Sequence, residues 1–271
     1  MQPDAIDEAV TAVQRAFSKQ ARHFDHDDVS NPVLVRWRKQ VYQHLDLFLK
    51  PGSRILEINA GTGIDALHLV RAGHRVHATD VSAGMIQKIQ EKIIQFNLND
   101  RLTATQCSFE SLDTLQDKNF DYLLSNFGGL NCCKDLSLVC RSLPNLLRDG
   151  ACITWVIMPP VSLWELAWVL QGKKSAFRRF GKNGTVAHLE GEFFNTYYHS
   201  LTTVREKLGA RFQLMKTEGL GAFSPPPGSL SFVMRHFRAD KLFRKIDGVV
   251  RNHFPFDRCA DHFIATFKYN A

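Results

Sequence analysis

Two acids and two glycines at fixed spacing carry the first chemical signal: Glu57, Gly61 and Gly63, then Asp80. The run Gly61-Thr62-Gly63-Ile64-Asp65-Ala66 fits G-x-G-x-x-A. In such a turn, backbone N–H groups between a strand and a helix approach an adenosine-bearing cofactor. Asp80 lies 80 − 61 = 19 residues after the first glycine. At that interval an acid accepts hydrogen bonds from the ribose hydroxyls. A nicotinamide dinucleotide and S-adenosylmethionine both satisfy this much. Glu57 separates them. A pyrophosphate is anionic and sits at the helix N-terminus, so a carboxylate aimed toward that space repels it. A sulfonium and an ammonium gain from the same carboxylate.

These residues need a strand–turn–helix frame, and the flanking pattern supplies one. Residues 54–59 (RILEIN), 74–80 (HRVHATD), 101–109 (RLTATQCSF), 120–127 (FDYLLSNF) and 150–158 (GACITWVIM) read as strands. The helical segments IDALHLVRAG, SAGMIQKIQEKIIQFN and DLSLVCRSLPNLLRDG separate them, with Ser82 as a helix cap and Pro144 as a break in the last. Alternation of this kind predicts a parallel sheet with helices on both faces. Residues 1–50 read as helical with a break at DHDDVSNP and a helix start at Asn31-Pro32. Beyond Met158 come a helix over VSLWELAWVL, an extended TVAHLEGEFFNTYYH, a helix capped by Ser200 and stopped by Gly209, a strand over RFQLMKTEGLGAF, a long helix over 229–254 and a last strand, DHFIATFKY.

On these residues the chain resembles a class I S-adenosylmethionine-dependent methyltransferase of the small-molecule group. LEINAGTG is similar to the family's E-x-G-x-G-x-G loop, ATDVSAGMI to its acidic second-strand motif, FDYLLSNFGGLN to its fourth-strand motif and LLRDGACITWVIM to the turn into its fifth strand. The resemblance covers roughly 51–158 and 199–271. It implies a doubly wound, seven-stranded, mostly parallel sheet with N-terminal helices and an insertion after the fifth strand. The expected parts are a helical cap at 1–50, a cofactor-binding half at 51–158, a substrate-side insertion at 159–198 and the C-terminal part of the core at 199–271.

The resemblance also implies roles. Glu57 faces the cationic end of the cofactor. Backbone around Ala60, Gly61 and Gly63 approaches the methionine part, and Asp80 holds the ribose. Val81 and Met85 flank the adenine, with Ser108 and Phe109 at its edge. Asn126 offers its carbonyl to the ammonium, with Phe127 beside it. Two residues depart from the family pattern. Asn59 replaces its first glycine, although Asn tolerates the left-handed backbone region better than most residues. Ser108 stands where many members carry Asp.

Methyl transfer is an in-line displacement that needs orientation and exclusion of water. A base helps when the acceptor must lose a proton. His188, His199, His262, Tyr197 and Tyr198 are the candidates, and His199 with Tyr198, in NTYYHS, is the expected pair. Trp164, Trp168, Phe177, Phe180, Phe193 and Phe194 suggest a lid over an apolar acceptor, and Arg22 and Phe24 suggest N-terminal contacts to the cofactor. The reading is therefore an enzyme that methylates O, N or C of a small, aromatic or lipid-like metabolite, with S-adenosylhomocysteine as product. The alternatives are an RNA or other nucleic-acid methyltransferase and a non-catalytic S-adenosylmethionine-binding protein.

Composition bounds the rest. The chain has 271 residues, 44% of them apolar, and a net charge of +7. That charge favours anionic partners, with GKKSAFRRFGK and RHFRADKLFRK as its densest segments. Nucleic acid is disfavoured, because SNFGGL stands where adenine methyltransferases of this fold carry N/D-P-P-Y/F/W. No apolar run reaches about 18 residues, so no membrane span is expected, and the N-terminus lacks a signal-peptide pattern. Six cysteines without a C-x-x-C pair read as reduced core thiols of a cytoplasmic protein, with no metal site.

Overall fold

A computed structural model describes residues 3–167, 172, 174–181 and 183–271. Three helices open the chain: α1 (Pro3–Gln20), α2 (Phe24–Ser30) and α3 (Pro32–Leu45). The alternating part follows as β1 (Arg54–Ile58), α4 (Ile64–Arg71), β2 (Arg75–Asp80), α5 (Ala83–Gln95), β3 (Leu102–Gln106), β4 (Phe120–Ser125), α6 (Ser137–Cys140), α7 (Leu143–Leu146) and β5 (Leu147–Ile157). The remainder is α8 (Leu163–Leu166), β6 (Thr185–Leu189), β7 (Glu192–Thr196), α9 (Leu201–Leu208), β8 (Phe212–Leu220), α10 (Leu230–Arg235), α11 (Phe237–Val250) and β9 (His262–Tyr269).

Seven strands form one sheet in the order β3-β2-β1-β4-β5-β9-β8, and β6 and β7 form a separate hairpin. Every pairing from β3 to β5 is parallel, whereas β9 runs antiparallel to both neighbours. The mostly parallel sheet expected from the alternation is present. Period-two alternation divides its side chains between two cores. Leu56, Ile58, Leu123, Ile153 and Trp155 enter one, with Phe263 and Phe267 from β9. Ile55, Val76, Tyr122, Leu124 and Val156 enter the other, against Trp37 and Val41 of α3. Strands buried on both faces need apolar side chains on both, which is why Ile55 and Leu56 of β1 and Tyr122, Leu123 and Leu124 of β4 stand at adjacent positions.

Several local expectations hold. Asn31 caps α3, accepting from the N–H groups of Val33 and Leu34, and Ser82 caps α5 by accepting from Met85 at 3.2 Å. Ser200 caps α9, and Pro144 separates α6 from α7 by opening a new turn.

Other expectations are corrected. The N-terminal break at DHDDVSNP is mostly helix α2, because Asp25 and Asp27 sit in its first turn, where the helix dipole favours acids. The long helix over 229–254 is two helices, divided at His236, whose backbone leaves the helical region (φ −125°, ψ 48°). The helix expected over VSLWELAWVL is α8 alone, and Trp168 and Leu170 lie outside the described residues.

Candidate functional site

The strand order reverses between β1 and β4, and ligands of open α/β sheets bind at the carboxyl ends of the strands beside such a switch. A cleft of about 160 Å³ opens there, lined mainly by apolar side chains with a few polar groups, as small-ligand sites are.

Its floor is backbone. Asn59, Gly61 and Gly63 all adopt positive φ (48°, 57° and 78°), so the chain leaves β1 in a tight left-handed path before α4. Asn59 sustains the turn with a left-handed backbone, and its side-chain oxygen accepts the Ser125 hydroxyl at 3.0 Å. Gly129 is obligatory beside it, since a Cβ there would sit 2.1 Å from Asn59 Nδ2. Gly63 caps α4 where a Cβ would meet Ile89 Cγ1 at 2.9 Å.

Asp80 closes the loop. Its Oδ2 accepts the Gly61 N–H and its Oδ1 the Ser82 N–H, both at 2.9 Å. Burial nonetheless pushes its carboxyl up to about 6, against the lowering effect of those N–H groups. Asp80 itself lines the cleft. Val81, Met85, Cys107 and Phe109 make an apolar wall beside it. Val13 and Phe17 of α1 and Phe24 of α2 line the cleft from the N-terminal side. α1 in turn packs on the hairpin: Phe17 and Phe194 have ring centroids 5.9 Å apart, and Arg15 and Lys19 pair with Glu192 at 2.9 and 2.8 Å.

The opposite side holds charge. Arg38 of α3 donates to Asp28 and, through its other nitrogen, to Asp65 at the start of α4. Tyr42 donates to Asp65 at 2.7 Å, and the Asn126 side chain at 2.9 Å. Burial opposes ionisation of Asp65, but Arg38 and these donors hold its carboxyl below the usual range. The Arg38 guanidinium lies 4.7 Å over the Phe127 ring. Glu57, on β1, is 1% exposed. Burial, and then the Asp65 charge, push its carboxyl up, and its Oε2 has no hydrogen-bond partner among the described residues. This carboxyl lies behind the loop and not in the cleft lining.

Of the residues expected from sequence, Ala60, Gly61, Asp80, Val81, Met85, Phe109, Asn126 and Phe127 line the cleft together. Glu57, Gly63 and Ser108 support it from outside the lining, and the Ser108 hydroxyl accepts the Glu110 N–H at 3.2 Å. Phe24 is in the lining and Arg22 is not.

His199 and Tyr198 are elsewhere. The His199 ring is buried, with Nε2 2.8 Å from the Cys133 carbonyl, and burial lowers its basicity. Tyr198 lies under the Arg179 guanidinium. The expected lid aromatics also separate. Phe194 packs on α1, Trp164 packs against Phe232 and Phe243, and Phe177, Phe180 and Phe193 are exposed.

Sequence reasoning passed over Arg38 and Asp65. Asp65 stands inside the glycine motif itself; Arg38 has no local signal, because its partners come from two other helices. It also ranked His262 below His199. His262 opens β9, on the same sheet edge as the end of β4. Its ring packs edge-on against Trp37 and Phe127, at 5.7 and 6.3 Å between centroids. Nδ1 lies 2.9 Å from Asp261 Oδ2. Nε2 faces Gly128 so closely that a Cβ there would be 3.3 Å away. Asp261 is fully enclosed. Burial would raise its carboxyl, yet His262 and Arg179 hold it down at about 2. Arg179 reaches Asp261 Oδ1 at 2.7 Å and also pairs with Glu165. Among the described residues no group of three or more His, Cys, Asp or Glu is placed to hold a metal ion.

Comparison with known proteins agrees with this geometry. A methyltransferase-domain family matches residues 55–150, from β1 to the start of β5. The ubiquinone/menaquinone biosynthesis C-methyltransferase UbiE of Xylella fastidiosa is 30% identical over 146 residues, 52% of this chain and 56% of that protein. The chain thus spans about half the length of the curated relatives it matches. Among solved structures, the geranyl diphosphate C-methyltransferase of Streptomyces coelicolor A3(2), crystallised with S-adenosyl-L-homocysteine, shares the fold with a TM-score of 0.58. It is 14% identical, over 86% of this chain and 79% of that one. The [4+2]-cyclase SpnF shares it at 0.53 and 14% identity, over 82% and 76% of the two chains. Residues 55–150 thus match a methyltransferase domain, and the chain shares the fold of S-adenosylmethionine-dependent methyltransferases.

Proposed function

We propose that this protein transfers a methyl group from S-adenosylmethionine to a small, largely apolar acceptor. The observation that carries the reading is Asp80, at the end of β2, in the lining of the cleft and with both oxygens tied to loop N–H groups. S-adenosylmethionine, when bound, supplies a methyl activated by its sulfonium. The protein does the rest. Asp80 accepts from the ribose, Val81, Met85 and Phe109 exclude water around the adenine, and the Asn126 carbonyl favours the cationic end.

In this reading His262 replaces His199 as the acceptor's base. Its Nε2 takes a proton from an O–H, or from the ring carbon once the methyl has added to it, which restores the aromatic ring. Asp261 fixes the His262 ring and stabilises the imidazolium, and Arg179 fixes Asp261. The relatives named for ubiquinone and menaquinone biosynthesis favour an electron-rich aromatic acceptor and transfer to carbon.

Titration calorimetry tests the cofactor first. S-adenosylhomocysteine binds one to one and NAD does not; NAD binding without S-adenosylhomocysteine binding overturns the reading. With a prenylated hydroquinone as acceptor, His262→Asn lowers kcat by about 10²–10⁴-fold with S-adenosylhomocysteine affinity unchanged. An unaltered kcat removes His262 from the reaction.

A further inference from the structure

The +7 charge of the chain has no part in the cleft, where cations and acids are paired. Much of it gathers on α11 and its flanks, together with apolar side chains that no core uses. Met234, Phe237, Leu242, Val249 and Phe254 are 72%, 63%, 56%, 71% and 74% exposed. Arg235, Arg238, Lys241 and Lys245 are exposed beside them. Arg238, Lys241 and Lys245 follow one another at three- and four-residue steps and so share a face. Phe237 borders that row on one side, and Leu242 and Val249 on the other.

The acids of this segment are turned away. Asp240 is 2% exposed and held by Arg36 and Arg244 at 3.3 and 3.0 Å. Asp247 accepts the N–H groups of Phe223 and Ser224 at 2.8 and 3.0 Å. These are the only acids between 229 and 256. The outer face is therefore cationic and apolar, and among the described residues neither acid of the segment pairs with Arg238, Lys241 or Lys245.

We propose that this face docks the protein on an anionic lipid surface. Charge complementarity selects the partner. Lipid phosphates meet the cation row while Phe237, Leu242 and Val249 enter the headgroup boundary, as interfacial helices do. The long Lys and Arg stems lie along the apolar layer with their charges in the headgroups. A nucleic acid would pair with the cations and leave the apolar side chains in water. A second copy would set the same cations against each other, since a two-fold interface joins like patches. The inference is independent of the methyl-transfer reading, because none of these residues lines the cofactor cleft.

The test is flotation of the full chain with vesicles of phosphatidylcholine alone and of phosphatidylcholine mixed with phosphatidylglycerol. Binding to the anionic vesicles exceeds binding to neutral ones by tenfold or more, on the order expected for several cations at a charged surface. It also weakens as salt shortens the Debye length from about 10 Å toward 3 Å. The pairs Lys241→Glu with Lys245→Glu, and Leu242→Ser with Val249→Ser, each reduce it by about tenfold or more. Both pairs are fully surface changes, so unchanged melting and S-adenosylhomocysteine binding separate lost docking from lost fold or lost cofactor site. No vesicle binding, equal binding to both vesicle types, or binding that neither pair alters overturns the proposal. A short RNA duplex that binds while vesicles do not assigns the face to nucleic acid instead, and likewise overturns it.

Discussion

The loop from Asn59 to Gly63 and the corner around Arg179 are both buried and both sit near the same sheet edge, but they are built differently. The loop is held by backbone: positive φ at three residues, and N–H groups of Gly61 and Ser82 on one carboxylate. The corner is held by side chains from distant parts of the chain, with Arg179 joining Glu165, Asp261 and the carbonyls of Pro159 and Asp261. A backbone device tolerates change around it as long as the turn survives. A buried ion cluster does not, because removing one member leaves the others charged with one partner fewer.

Breaking the corner should therefore give the largest effect. Arg179→Ala removes the shared cation of Glu165 and Asp261, each under a tenth exposed, leaving Glu165 to Arg178 and Asp261 to His262, and should destabilise the fold by roughly 3 kcal/mol. Urea denaturation measures this. A loss below about 1 kcal/mol would show that the corner is no more critical than a surface pair.

The loop responds to pH instead. Asp80 has its carboxyl raised to about 6, so it is ionised above that value and protonates as pH falls through it. A protonated Asp80 loses acceptor capacity toward a ribose. S-adenosylhomocysteine affinity should be full at pH 8 and reduced roughly tenfold one unit below the transition, following the ionised fraction. In Asp80→Asn the pH dependence should vanish while the affinity stays low throughout. A flat profile in the unaltered protein would detach Asp80 from the ligand.

The smallest effect belongs to the contact between α1 and the hairpin. Arg15 is half exposed where it meets Glu192, and exposed pairs contribute little. Arg15→Ala should leave the melting temperature almost unmoved. A large drop would mean that the hairpin is clamped by charge and not by the packing of Phe17 on Phe194.

What could be read early follows the same division. Strand and helix order, the caps at Asn31, Ser82 and Ser200, and the acid at Asp80 depend on residues within one turn of each other. The division of 229–254 at His236 was not legible, since the periodicity there continues unbroken through the turn. Nor were the surroundings of His199 and His262: both are histidines at element boundaries, and only folding places one against the Cys133 carbonyl and the other beside Gly128.

The sequence by itself determined the class of sheet, the glycine–asparagine turn and the cleft-lining acid Asp80, because left-handed turns, caps and two-sided apolar strands are local requirements on residue type. Only the tertiary structure decided that Arg38 locks Asp65, that Arg179 locks Asp261 behind His262, and that the acids of α11 turn inward. Those pairings join residues separated by up to 204 positions. Which distant charges meet depends on how the helices pack on the sheet, and no spacing along the chain records that.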